Sequence, residues 1–237
     1  MRKHGGVTHD CDEPGELDMA ETPTLPLADT SEMASVHRVF RNALDDAPRL
    51  VGPAADDPER TEMVASYYDN VLRLLHIHHE GEDELLTPRL IARGTPEECD
   101  EIRRIAQQHV GVLGDIETAE ARIAAFRATP TLDHAASLAG SLAELNASLV
   151  SHLDQEETIA MPIAAKYINV AEWGELPGHG IRNFSGDKLW LILGLIREQM
   201  TDSQRADMDA HMPPPLAEFW AQSGEQLFIE YVGALRI

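Results

Sequence analysis

The chain has 237 residues, enough to bury a sizeable core in one domain with an appendage or in two small domains. With 19 Lys and Arg against 41 Asp and Glu, it carries a formal net charge of −22, which argues against nucleic acid and anionic membrane surfaces as partners. Its two cysteines, Cys11 and Cys99, exclude a C-x-x-C metal or redox motif and a disulfide framework. No run of 18 apolar residues and no leader-like apolar stretch behind the N-terminus are present, so a cytoplasmic protein is expected.

Residues 1–28 are rich in Gly, Pro, Thr and acids, without hydrophobic period, and read as a disordered arm. A first helix is expected from Asp29-Thr30-Ser31-Glu32, with Asp29 capping and Glu32 completing something like a capping box. Met33, His37, Phe40 and Leu44 share its inner face. Pro48, Gly52 and Pro53 are expected to end it in a loop. A second helix starts at Asp57-Pro58, a capping acid followed by a first-turn proline. Val64, Val71, Leu75, His78, Glu82 and Leu85 line one face. It runs to about Arg93, with a bend at Pro88 and a stop at Gly94.

The third helix opens on Thr95-Pro96-Glu97-Glu98, which combines cap, proline and capping-box Glu. Ile102, Ile105, His109, Leu113 and Ile116 face inward until Thr129-Pro130. The fourth follows from Thr131, with Leu142, Leu145, Leu149, His152, Glu156 and Ile159 inward. Short links at 94–95 and 129–130 favour antiparallel neighbours, and no strand pattern competes. The expected fold is all-α, an up-down-up-down four-helix bundle over residues 29–169. Residues 170–237 hold all three Trp and several apolar helices, near 187–199, from Thr201, and after Pro213. This extension is expected to pack on the bundle or on a second subunit.

The chemistry lies in a repeat. His78, Glu82 and Pro88 stand at steps of four and six, and so do His152, Glu156 and Pro162. A step of four turns a helix by about 40° and rises about 6 Å, so each His-Glu pair projects from one face. His37 and His109 sit among the inward residues of the other two helices. At about 1.5 Å per residue the six groups fall in one layer to within about a turn. Burying a charged Glu is costly unless it is paired, and two such Glu each come with a His. His76 and His79 turn away by about 160° and 100° and are expected at the surface or behind the site, with Asp83 and Glu157. His134 is too far along its helix, and His179 and His211 carry no signal.

His37, His78, Glu82, His109, His152 and Glu156 therefore form the candidate metal site. Four imidazoles and two carboxylates exceed one tetrahedral zinc, lack the thiolate of soft metals and do not suit an all-oxygen calcium site. They suit two non-haem iron ions bridged by carboxylate, with manganese or zinc as substitutes. The ligands are not those of bundles that use Glu-x-x-His.

The pattern of His, H-x3-E, His and H-x3-E on successive helices resembles the hemerythrin HHE cation-binding domain over about residues 30–168. The resemblance implies the same six ligands, with Glu82 and Glu156 bridging. The sequence departs from oxygen-carrying hemerythrins in two ways. Ile105 and Leu113 stand where a second His would lie one turn from His109, and Glu157 stands where those proteins have an Asp five residues after the helix-4 His. Glu156 is preferred to Glu157 because it matches Glu82. These departures shift expectation from reversible O2 carriage towards peroxide chemistry, NO binding or sensing. The expected function is a di-iron protein that binds O2 or related small oxidants for sensing, storage or protection. A peroxide-decomposing enzyme and a metal-gated regulatory or interaction protein stay open beside it.

Overall fold

The computed structural model describes residues 25–184 and 186–237. Most of the arm expected at residues 1–28 lies outside the described residues. Among them, the chain is all-α. Among the described residues the one strand-like pairing is a bridge between Leu27 and Asn169, flanked by Ala28 N–H to Ile168 O and Val170 N–H to Pro26 O. No helix among the described residues is long and apolar enough to cross a membrane.

In chain order the helices are α1 (Met33–Asp45), α2 (Ala47–Val51), α3 (Pro58–Gly81), α4 (Thr87–Arg93), α5 (Pro96–Ala106), α6 (His109–Ala128) and α7 (Leu132–Gln155). They continue as α8 (Met161–Tyr167), α9 (Val170–Trp173), α10 (Glu175–Asn183), α11 (Leu189–Gln199), α12 (Asp202–His211), α13 (Pro214–Phe219) and α14 (Glu225–Leu235). Local chemistry sets most of the starts. Asp57 accepts from the backbone of Glu59 and Arg60, and Thr95 with Glu98 forms a full capping box. Thr131 caps α7, and Thr201 with Gln204 caps α12.

Two expectations at the start of the chain are corrected. Glu32 makes no capping box. It accepts from Trp173 Nε1 at 2.6 Å, tying α1 to α9. The loop expected through Pro48 and Pro53 is instead the short helix α2 and a single 3₁₀ turn. Ala47, Leu50, Val51 and Ala54 are buried there, and Tyr68 OH donates to Ala43 O at 3.0 Å. Tertiary burial holds these turns despite their prolines.

The repeated proline has a structural consequence. Pro88 and Pro162 lack an N–H for the carbonyl four residues back, and their rings crowd it. The helices do not stop at either one. Each inserts one π turn, Glu82–Leu86 and Glu156–Ala160. Thr87 N–H reaches back five residues to Glu82 O, and Met161 N–H to Glu156 O. The two Glu of the repeat are therefore the first residues of two matching π turns. The third expected helix is also interrupted, at Gln107 and Gln108, just before His109.

α3 packs on α6, α6 on α7, and α1 on both α7 and α3. The interior divides into two apolar clusters. One includes Phe40, Val71, Leu75, Val112, Leu149 and Leu153, and the other includes Met33, Leu86, Leu90, Ile105, Ala160 and Met161. On each of four helical runs a polar residue separates the two. His37 lies between Met33 and Phe40, His78 and Glu82 between Leu75 and Leu86, His109 between Ile105 and Val112, and Glu156 between Leu153 and Ala160.

The C-terminal segment packs on the same chain. Leu191, Ile192 and Phe228 join the first cluster, and Tyr231 OH donates to Met63 O at 2.7 Å. Arg60 donates to Ala234 O and Leu235 O, satisfying carbonyls at the end of α14. Gly194 lies directly under the Phe228 ring, where any Cβ would overlap it. Gly194→Ala is therefore expected to lower unfolding free energy by about 1–3 kcal/mol and to expose α14 to protease. An unchanged denaturant midpoint would refute this close packing.

Candidate metal centre

Four helical runs bring the six expected residues together, and a seventh joins them. His37, His78, Glu82 and Glu156 form one group whose donor atoms all lie within 4.8 Å of one another. His79, His109 and His152 form a second. Within each group two rings pack edge to face, His37 against His78 at 5.3 Å and His109 against His152 at 4.9 Å between centroids.

His79 is the main correction. It was expected at the surface or behind the site. It is 5 % exposed, and its ring stacks on His109 at 4.3 Å between centroids. A position 100° from the face of His78 still points inward because α6 packs along that flank of α3. His76 behaves as expected, half exposed and 3.2 Å from Glu80. His134 is bonded to Thr129 O at the start of α7, away from this layer.

The two carboxylates stand between the imidazole groups. Glu82 sets Oε1 3.7 Å from His78 Nε2 and Oε2 3.6 Å from His109 Nε2. Glu156 sets Oε2 3.4 Å from His37 Nε2 and Oε1 3.5 Å from His109 Nε2 and 3.0 Å from His152 Nε2. Each Glu thus turns one oxygen to each group. Most of the inward atoms have no hydrogen-bond partner. These are Nε2 of His37, His78, His79 and His152, both oxygens of Glu82, and Oε2 of Glu156. Buried polar atoms nearly always find partners, and each orphan costs about 1–3 kcal/mol. Seven orphans in one layer, all potential metal donors, fit cations held between them.

The outward nitrogens are satisfied. His37 Nδ1 pairs with Glu157 Oε1 at 2.9 Å, and Arg41 Nη2 donates to the same oxygen at 3.2 Å. His109 Nδ1 pairs with Asp83 Oδ1 at 2.9 Å, and His152 Nδ1 with Gln108 Oε1 at 3.0 Å. Glu157 and Asp83 therefore stand behind the imidazoles, as expected. An acceptor on Nδ1 puts the proton there and leaves the Nε2 lone pair facing inward.

Without a cation the layer is electrostatically uneven. Burial drives His78 down to about 3 and His79 well below the usual imidazole value. Burial also presses on His109, but hydrogen bonds to Asp83 and Glu156 outweigh it and lift this residue to about 9. Burial and the neighbouring Glu156 push Glu82 well above the usual carboxyl range. Glu156 feels the same burial but is held well below that range by His109 and His152. The metal-free layer thus pairs a protonated Glu82 with an ionised Glu156 and a cationic His109.

A histidine that carried no signal in the sequence, His179 on α10, is also buried. Its ring lies 3.3 Å from where a Cβ on Gly81 would be, and Nδ1 is 3.7 Å from Glu84 Oε2. α10 thereby lies against the turn that carries Glu82.

A family model, the hemerythrin HHE cation binding domain, matches residues 28–164, more than half of the chain. No curated protein and no solved structure matches.

Proposed function

The chain belongs to the hemerythrin HHE cation-binding domain family, and from that premise we propose that it holds two non-haem iron ions and binds O2 or related small oxidants for sensing, storage or protection. His37 and His78 would hold one ion and His79, His109 and His152 the other, with Glu82 and Glu156 each offering one oxygen to either group. The observation that carries this reading is the orientation of the two carboxylates, each with one oxygen towards each imidazole group. Seven donors exceed what one tetrahedral ion takes. Manganese and zinc are the substitutes such donors accept.

Iron there supplies redox chemistry towards O2, peroxide and NO. The protein supplies the rest. Glu157, Asp83 and Gln108 orient three imidazoles, and the apolar clusters on both sides keep bulk water out. Residues 29–169 are read as an up-down-up-down four-helix bundle that presents this layer, and 170–237 as an extension. A cytoplasmic location and a small diatomic or peroxide ligand complete the proposal, and a peroxide-decomposing activity belongs to the same site. The contact of His179 with Gly81 also favours a regulatory reading, in which metal loading adjusts the packing of the extension.

Metal analysis of protein from iron-supplied cells is expected to find about two irons per chain. One zinc, or no metal, would overturn the proposal. His78→Ala and His79→Ala should each lower iron content strongly, and His76→Ala should not. Equal retention in the His76 and His79 variants would return His79 to the surround.

A further inference from the structure

One small cavity touches the donor layer. Its volume is about 20 Å³, room for roughly one water molecule. Glu82, His109 and Glu156 are among its polar lining residues, and Leu86 and Ile105 among its aliphatic ones. Met161 also lines it, the one sulfur-containing residue among those that do. Met33 provides an internal comparison. It is 6 % exposed, as Met161 is, and belongs to the same apolar cluster, but it does not line the cavity.

We propose that Met161 is a modification site of this layer: hydrogen peroxide entering the cavity beside Glu82 and Glu156 transfers an oxygen atom to its thioether. The inference rests on the reading of the layer as a site for small oxidants. In the step, a sulfur lone pair attacks one peroxide oxygen and forms the S–O bond as the O–O bond breaks. The departing hydroxide takes the proton from the oxygen now on sulfur and leaves as water. Sulfur is oxidised by two electrons, and each peroxide oxygen is reduced by one. The product is methionine sulfoxide, a polar group in place of an apolar thioether. Oxidation therefore adds a polar oxygen to a residue that lines a cavity with room for about one water, beside the carboxylates.

The test exposes the full chain, metal-free and iron-loaded, to graded hydrogen peroxide and follows each methionine by peptide mass spectrometry. Met161 is expected to gain one oxygen roughly tenfold faster than Met33. Met161→Leu, a volume-conserving change, should remove that early uptake and leave the Met33 rate unchanged. Equal rates for Met161 and Met33 in both forms would overturn the proposal. Iron content, measured first on the same samples, tests the site reading separately. Protein that binds iron and oxidises the two methionines equally sinks this inference alone, whereas protein that binds no iron sinks the reading of the layer.

Discussion

Glu156→Ala is expected to take iron content from about two per chain to nearly none, whereas His37→Ala should retain up to half. The difference follows from where each side chain stands. Glu156 Oε2 faces His37 Nε2 at 3.4 Å, while Oε1 faces His109 and His152 at 3.5 and 3.0 Å. Removing it takes a donor from both groups at once. It also removes the negative charge that offsets two adjacent cations in a buried layer. His37 belongs to one group only, so its loss leaves His79, His109, His152 and both carboxylates in place. The measurement is iron per chain after desalting, with folding checked by circular dichroism. A Glu156→Ala protein that keeps one tightly held iron would show that this carboxylate serves a single ion. Glu157→Ala tests the alternative bridge. Glu157 meets His37 from the outer, Nδ1 side and is partly solvated, so its loss should weaken iron retention without abolishing it.

The parts of this layer that were legible in the sequence are those set by short-range geometry. The four-residue step from His78 to Glu82, repeated at His152 and Glu156, needs only helical periodicity. The caps at Asp57 and Thr95, and the helix starts at Thr131 and Thr201, need only the chemistry of a side chain beside its own helix start. What escaped depends on neighbours distant in sequence. His79 looked peripheral because a helical wheel assigns one inward direction. A helix packed on two sides has a wider interior arc, and α6 covers the flank where His79 lies. Pro88 suggested a bend, but the proline could be accommodated by a π turn, whose five-residue bond appears only once the helix continues beyond it. The Gly-containing α10 has weak intrinsic propensity. It is held by Arg89 to Glu175 at 2.8 Å and by His179 against Gly81, contacts made by residues far upstream.

Removing the metal should have the largest effect on stability, and the size of the loss should depend on pH. At free iron a thousandfold above its Kd, loading stabilises the folded chain by about 4 kcal/mol, or about 8–16 °C in Tm for a chain of this size. The metal-free form has its own pH profile. His78, at about 3, and His79 stay neutral when folded but charge when unfolded below about pH 6.5. The unfolded chain then binds more protons, so stability is lost as pH falls from about 6.5 towards 3. Protonation of Glu82 in the folded state offsets part of this above the ordinary carboxyl range. Above about pH 6.5 the sign reverses. His109, lifted to about 9, binds a proton that the unfolded chain has released, so stability falls as pH rises. Metal-free Tm is therefore expected to peak near pH 6.5. Iron must displace the proton that His109 carries up to about pH 9, so the gain in Tm on loading should widen from pH 6 towards pH 9. Scanning calorimetry of chelated and iron-loaded protein at matched pH reads both trends. A loading gain that stays constant over this range would mean that His109 gives up no proton to the metal, and would separate it from the ligand layer.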